Sequence, residues 1–183
     1  MPSAPQLGWE PCVGETSAVR RPPSDVRRHS RYAIGVGSNR GDRAGTIALA
    51  RSLLEADGAC RVVAASQVRE TTPVGGPGGQ DAYLNGVWLV ETDLGPHQLL
   101  HRLQTIESAL GRVRTMRWGA RTLDLDVLLC EDGQVVSSAV LDVPHPRLHG
   151  RAFVLDGLAE VAPHWRHPVI GRSVAELHRD LCG

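Results

Sequence analysis

Six of the seven residues at 73–79 (PVGGPGG) are Gly or Pro, a composition that admits neither helix nor strand and so makes a loop. That loop divides the patterned part of the chain into two halves with the same rhythm. Before it, 32–37 (YAIGVG) reads as a short apolar strand and 38–42 as a turn. Ala44, Ile47, Ala50 and Leu54 then recur at helical spacing, with Leu49 and Leu53 widening the stripe. Gly58 is placed to end this helix, and 62–68 reads as a second strand. After the loop, 85–91 is a third strand and Pro96 suits the first turn of a second helix. Leu99, Leu103, Ile106 and Leu110 mark its apolar stripe to near Gly111, and 123–129 is a fourth strand. Strand–helix–strand on both sides of one loop predicts an α+β fold with a ferredoxin-like split βαβ core. The sheet is expected to be largely antiparallel, with helices packed on one face. Residues 134–136 are expected to pair with the fourth strand through the Asp132-Gly133 turn. Residues 151–160 and 173–181 read as short, added C-terminal helices.

A chain of 183 residues holds one such domain and a tail. Residues 1–30 carry Pro2, Pro5, Pro11, Pro22 and Pro23 with Arg20, Arg21, Arg27 and Arg28, and no apolar period. They read as a disordered Pro/Arg-rich tail, leaving the domain to 31–183. Lys plus Arg equals Asp plus Glu at 20 each, so the net charge is zero. A phosphate-coating nucleic-acid binder needs surplus cations and is excluded on that ground. One Phe, two Tyr and four Trp are too few for a base-stacking sheet, which argues against an RNA-binding ferredoxin-like domain. No apolar run reaches the ~18 residues of a membrane span, and the N-terminus lacks the basic start and apolar core of a secretory signal. A cytoplasmic protein is expected. Cys12, Cys60, Cys130 and Cys182 are too scattered for a CxxC motif and read as free thiols.

The chemistry concentrates in 117–128 (RWGARTLDLDVL). In a strand, residues two apart share a face, so Asp124 and Asp126 would stand together about 6.6 Å apart, with Leu123, Leu125 and Val127 turned to the core. Two carboxylates on one face ask for a cation between them, and Mg²⁺ is the natural one because it takes oxygen ligands and keeps exchangeable waters. A solvated edge strand is the alternative that DxD alone leaves open. Arg112, Arg114, Arg117 and Arg121 fall within ten residues free of acids, and guanidinium forks beside a metal-binding acid pair suit a polyphosphate. His145 lies between Pro144 and Pro146, near Arg147 and Arg151, where a stiff backbone could hold it against an anion. The loop leading into Tyr83 and Asn85 can bring backbone groups and an amide to a planar heterocycle, since an amide both donates and accepts. The segment 35–39 (GVGSN) lacks the full GxGxxG and is not a nucleotide fingerprint.

These residues resemble the 6-hydroxymethyl-7,8-dihydropterin pyrophosphokinase family over about 32–181. RWGARTLDLDVLL looks like its signature, supported in order by AIGVGSNRGD, ETTPVGG, YLNGVWLVETDL, IESALGRVR and VPHPRLHGRAFVL. Pro146 stands where some members carry Tyr. The resemblance implies diphosphate transfer from ATP to the hydroxymethyl group of the pterin, releasing AMP, in folate biosynthesis. A non-catalytic nucleotide- or pterin-binding module is the alternative. By matching positions, Asp124 and Asp126 would bind two Mg²⁺ ions and, with Arg112 and Arg121, carry catalysis. Gln104, Glu107, Arg112, Arg121, His145 and Arg151 would contact ATP. Thr72, Pro73, Tyr83 and Asn85 match the pterin pocket, with Trp118 and Phe153 as its two aromatic plates. Closure of the Gly/Pro loop and of 112–120 is expected to exclude water. The partners implied are ATP and a reduced pterin, with no nucleic acid, no membrane, and a monomer.

Overall fold

A computed structural model describes residues 29–72, 81–111 and 121–183. In chain order they form β1 (Ser30–Ser38), α1 (Arg43–Glu55), β2 (Cys60–Ala65), β3 (Arg69–Thr71), β4 (Tyr83–Thr92), α2 (Pro96–Ala109), β5 (Asp124–Cys130), β6 (Val136–Ser137), β7 (Asp142–Val143), α3 (Ala152–Val161) and α4 (Val174–Cys182). The main sheet runs β2-β4-β1-β5, with β3 continuing the β2 edge along β4, and every pairing is antiparallel. This is the expected ferredoxin-like α+β core.

The helices form where periodicity and capping agree. Asp42 accepts a hydrogen bond from Gly45 N at the start of α1, and Gly58 and Gly111 sit at φ 73° and 80° just past α1 and α2. Ile47, Ala50 and Leu54 of α1 and Leu99, Leu103 and Ile106 of α2 bury against Tyr32, Ile34, Val36, Leu123, Leu125 and Val127. The predicted α1 stripe was too wide: Leu49 is 50% exposed and Ala44 is exposed, because only one narrow face meets the sheet.

Three further expectations are corrected. The predicted strand 62–68 breaks into β2 and β3, because Ser66 turns its side chain into the sheet and accepts a hydrogen bond from Val87 N at 2.9 Å. Gln67 N then donates to Glu160 at 2.8 Å, pulling the connection toward α3. Residues 136–137 do not pair with the fourth strand; β6 pairs with β7 in a separate ribbon, and the Asp132-Gly133 turn releases the chain from the sheet. Nor do helices pack on one face only. Val154, Leu155 and Leu158 of α3 and Val174 and Leu177 of α4 form a second core on the opposite face with Ala33, Val87, Leu89, Leu128 and Leu129. Leu128 and Leu129 can both face this core because the β1–β5 register shifts there: Ile34 pairs with Val127 but Ala33 with Leu129. At the edge of the domain, β1 begins at Ser30, and His29 Nδ1 lies 2.9 Å from Asp93.

Candidate active site

The part of the second face that α3 and α4 leave open is an exposed groove across three strands. Register places Asn85 of β4, Gly37 of β1 and Asp124 of β5 in one row, and Val87, Gly35 and Asp126 in the next. Each row has a glycine in its middle, so the central strand contributes only backbone and the flanking side chains rise as walls. A Cβ on Gly37 would lie 2.6 Å from Asn85 Oδ1, which leaves no room for any side chain there. Asn85 is itself held, its Nδ2 donating to Thr71 Oγ1 at 2.7 Å.

Side chains from four further segments close this floor into a cleft of about 740 Å³. Thr71, Thr72, Tyr83, His145, Arg147, Arg151 and Phe153 line it, and Arg121 stands beside Asp124. Two buried polar residues at the end of β1 set the geometry. Ser38 Oγ donates to Thr122 O at 2.6 Å, and Asn39 exchanges a pair of hydrogen bonds with Arg121: Asn39 N to Arg121 O at 3.1 Å and Arg121 N to Asn39 Oδ1 at 2.7 Å. Asn39 Nδ2 also donates to Asp81 O at 3.3 Å, and Arg43 donates to Ala82 O at 2.6 Å. One short turn thus anchors both chain segments that enter the cleft from opposite sides.

The charges are crowded. Arg121 Nη1 donates to Asp124 Oδ2 at 2.6 Å. Burial, and then the neighbouring Asp124 charge, push the Asp126 carboxyl up to about 7, against the pull of Arg151 and Arg121. Burial also lowers His145, helped by the positive Arg151 and Arg147, so its imidazole is neutral. Its Nδ1 accepts a hydrogen bond from Arg147 N at 3.1 Å, so the proton sits on Nε2. His145 N donates to Leu128 O at 2.8 Å, which ties the loop to β5. Arg151 stacks its guanidinium carbon 5.9 Å from the centre of the Phe153 ring.

Of the residues the sequence singled out, Thr72, Tyr83, Asn85, Arg121, Asp124, Asp126, His145, Arg151 and Phe153 meet around this cleft. Pro73, Arg112 and Trp118 lie outside the described residues, as do the loops expected to close. Gln104 and Glu107 lie on α2 and do not line the cleft. Glu107 is 2% exposed and its Oε1 accepts a hydrogen bond from Leu125 N at 2.7 Å. It satisfies the edge of β5 between the two aspartates, and so sets their backbone. Ser38 and Asn39, within the expected turn, and the paired glycines of β1 belong to the site although no motif marks them. The signal available was Gly35-x-Gly37 inside an otherwise apolar strand, which marks close approach of another group.

The family model for 7,8-dihydro-6-hydroxymethylpterin-pyrophosphokinase (HPPK) matches residues 33–163. The chain is 47% identical over 134 residues to the 2-amino-4-hydroxy-6-hydroxymethyldihydropteridine pyrophosphokinase of Methylorubrum extorquens, covering 73% of this chain and 84% of that one. It is 42% identical over 147 residues to the enzyme of the same name from Pseudomonas aeruginosa, covering 80% and 89%. Among solved structures, wild-type Plasmodium falciparum HPPK-DHPS with STZ-DHP superposes with a TM-score of 0.59 at 14% identity, over 84% of this chain and 41% of that chain. The A437G form with pteroate gives 0.62 at 13%, over 86% and 44%. The chain therefore spans less than half of those solved chains, and at such identity the likeness is one of fold.

Proposed function

The chain belongs to the 7,8-dihydro-6-hydroxymethylpterin-pyrophosphokinase family, and from that premise we propose that it transfers the diphosphate of ATP to 6-hydroxymethyl-7,8-dihydropterin in folate biosynthesis. The observation that carries the reading is the glycine-floored groove ending in Asp124 and Asp126, with Arg121, Arg151 and His145 around the acids. A groove with no side chains in its middle accepts a flat ring, and a cationic rim over two carboxylates accepts a metal-bound polyphosphate.

The donor set fits Mg²⁺. Two oxygen-ligand side chains share one face, and burial together with the Asp124 charge raises the cost of ionising Asp126, a cost that a bound cation would offset. Asp124 and Asp126 would hold the metal, two ions in this reading. Bound there, Mg²⁺ supplies Lewis-acid neutralisation of the triphosphate charge. The chain's own groups do the rest. Asn85, held by Thr71, reads the edge of the pterin through its amide. Phe153 offers one face for stacking, and Tyr83 and Thr72 bound the pocket. With the ring seated, the hydroxymethyl oxygen attacks the β-phosphorus in line. The bond from that phosphorus to the oxygen bridging it to the α-phosphorus breaks, the electron pair leaves with AMP, and the hydroxyl proton is released to solvent. Arg121 and Arg151 neutralise charge as it builds on the transferring and leaving oxygens. His145 would donate a hydrogen bond from Nε2–H to a phosphate oxygen and, being neutral, adds no competing charge to the metal side. The roles of Arg112, Trp118 and Pro73 in the same reading rest on their matching positions alone. Glu107 acts on the site through β5, whose Leu125 N it binds, and a role for Gln104 toward ATP rests on its matching position alone.

A monomer is the state assigned to the chain in this reading. No helix among the described residues is long and apolar enough to cross a membrane, and a cytoplasmic site with ATP and a reduced pterin suits the chemistry. Residues 31–183 carry the domain in this reading, joined by Ser30 at the first rung of β1 and by His29 against Asp93, and the chain before them is dispensable. The test is product identification. Incubation with ATP, Mg²⁺ and the hydroxymethyl pterin should yield AMP in step with a diphosphorylated pterin. ADP as the main nucleotide product would overturn the reading, because it reports transfer of a single phosphoryl group.

A further inference from the structure

Away from the cleft, α3 and α4 bring three ligand-type side chains together. Asp156 lies in the middle of α3; His178 and Cys182 lie one turn apart on α4. One ligand atom from each falls within 4.8 Å of the others, and His178 Nε2 sits 2.8 Å from Asp156 Oδ1. Cys182 is an exposed free thiol, and His178 and Asp156 are 34% and 40% exposed, so an ion can reach all three from solvent. The helices that carry them are fixed against each other by Leu155, Leu158, Val174 and Leu177, so the spacing is built into the packing. Glu160, one turn further along α3, is already engaged by Gln67 N and by Arg69, and does not compete.

We propose that Asp156, His178 and Cys182 form a binding site for a divalent cation of the zinc class, with solvent as the fourth ligand. Thiolate, imidazole and carboxylate together select a borderline-soft ion and discriminate against Mg²⁺, which prefers an all-oxygen shell. A His and a Cys four residues apart on one helix project side by side, and a carboxylate from the packed helix completes a three-sided cup. The imidazole would bind through Nε2 in its neutral form, with its proton on Nδ1, and the Cys182 thiol would lose its proton to solvent, so one proton is released per ion. The bound ion staples the C-terminal helix to α3, whose first turn carries Phe153 to the wall of the cleft. The site is independent of Asp124 and Asp126 and of the reaction assigned to them.

The test uses the full chain with its thiols reduced, titrated with Co²⁺ as a spectroscopic stand-in. Thiolate-to-cobalt charge-transfer absorption should grow, saturate at one equivalent and be bleached by Zn²⁺. Oxygen-only binding at the aspartate pair gives no such band. Cys182→Ser should abolish the band while leaving metal-free melting and turnover unchanged. Asp156→Asn and His178→Ala should each weaken Co²⁺ binding by on the order of tenfold or more. Zn²⁺ should raise the melting temperature of the parent chain and not that of Cys182→Ser. No band in the parent chain, a band that survives Cys182→Ser, or affinity indifferent to both Asp156→Asn and His178→Ala would overturn the proposal.

Discussion

The two faces of the central sheet are built from the same strands and do opposite work. On the face under α1 and α2, β1 presents Tyr32, Ile34 and Val36, and β5 presents Leu125 and Val127 with Leu123 just before it, all nearly or fully buried. On the other face the same strands present Gly35 and Gly37, and Asp124 and Asp126. A period of two residues therefore separates stability from chemistry along a single strand. The dry face is filled to remove side chains from water. The site face is emptied in the middle by glycine and charged at the edge, both of which work against stability. The site is tolerable because the rest of its face is closed by α3 and α4, and because Glu107 reaches β5 from the helix side to hold its backbone between the acids.

The largest effect should come from the acids. Asp124→Ala and Asp126→Ala should each lower kcat by about 10²-fold or more, since metal charge stabilisation is worth several kcal/mol. The double variant should lose little beyond either single one, because the pair acts as a unit. Melting of the metal-free variants should be unchanged or slightly higher. Steady-state rates against Mg²⁺ concentration check this, and full activity of either variant at ordinary Mg²⁺ would reduce the pair to a solvated strand face. The opposite face should show the reverse split. Ile34→Ala, one residue before Gly35, should cost about 2–5 kcal/mol of stability by denaturant unfolding, with kcat per folded molecule retained. A kcat loss with stability intact would mean that the two faces are not separable.

How much of this was legible differs between the faces as well. The apolar repeats of α1, α2 and β5 found the helix-covered face, since burial there leaves a direct mark on every second or every third to fourth residue. The aspartates, Arg121, His145 and Arg151 are also readable, because clustered charged residues stand out in sequence, whereas Phe153 is marked only by the family resemblance. What escaped was whatever acts through hydrogen bonds or through absence. Ser38 and Asn39 look like any turn until Arg121 and Asp81 are seen bonded to Asn39. Gly35 and Gly37 look like weak strand residues until Asn85 and the acids stand on either side. The C-terminal helices were seen as elements, but no local pattern says which face of a sheet a helix will cover. Ser66, which splits the predicted second strand, carries its effect through a contact 21 residues away.

The emptied floor can be broken directly. Gly37→Ala puts a methyl 2.6 Å from Asn85 Oδ1, so the amide must move off its hydrogen bond with Thr71. Pterin affinity should fall roughly tenfold or more, about 1.4 kcal/mol, while ATP affinity changes little, since the phosphate groups lie toward the acids in this reading. Isothermal titration with each ligand separates the two. Equal losses for both ligands would place the ring elsewhere than over Gly37.

The smallest effect concerns pH and sharpens the electrostatic half of the comparison. In the metal-free protein the Asp126 carboxyl titrates near about 7, whereas in the unfolded chain it returns to the ordinary carboxylate range. Between those values the folded state holds a proton that the unfolded state has released. Linkage then requires stability to fall as pH rises through that window, and to be fully restored below it. Water in an open cleft and the nearby Arg121 and Arg151 screen part of the cost, so the change should be about 1 kcal/mol. Asp126→Asn cannot ionise and should flatten that part of the profile. Ile34 carries no titratable group, so Ile34→Ala should shift the whole curve down without changing its slope. Saturating Mg²⁺ should also flatten the parent profile, because a bound cation keeps the carboxylate charged in the folded state. Chemical denaturation from pH 4.5 to 8, with chelator and with Mg²⁺, gives all four curves. A metal-free slope that persists in Asp126→Asn would move the raised carboxyl to another residue of the cleft.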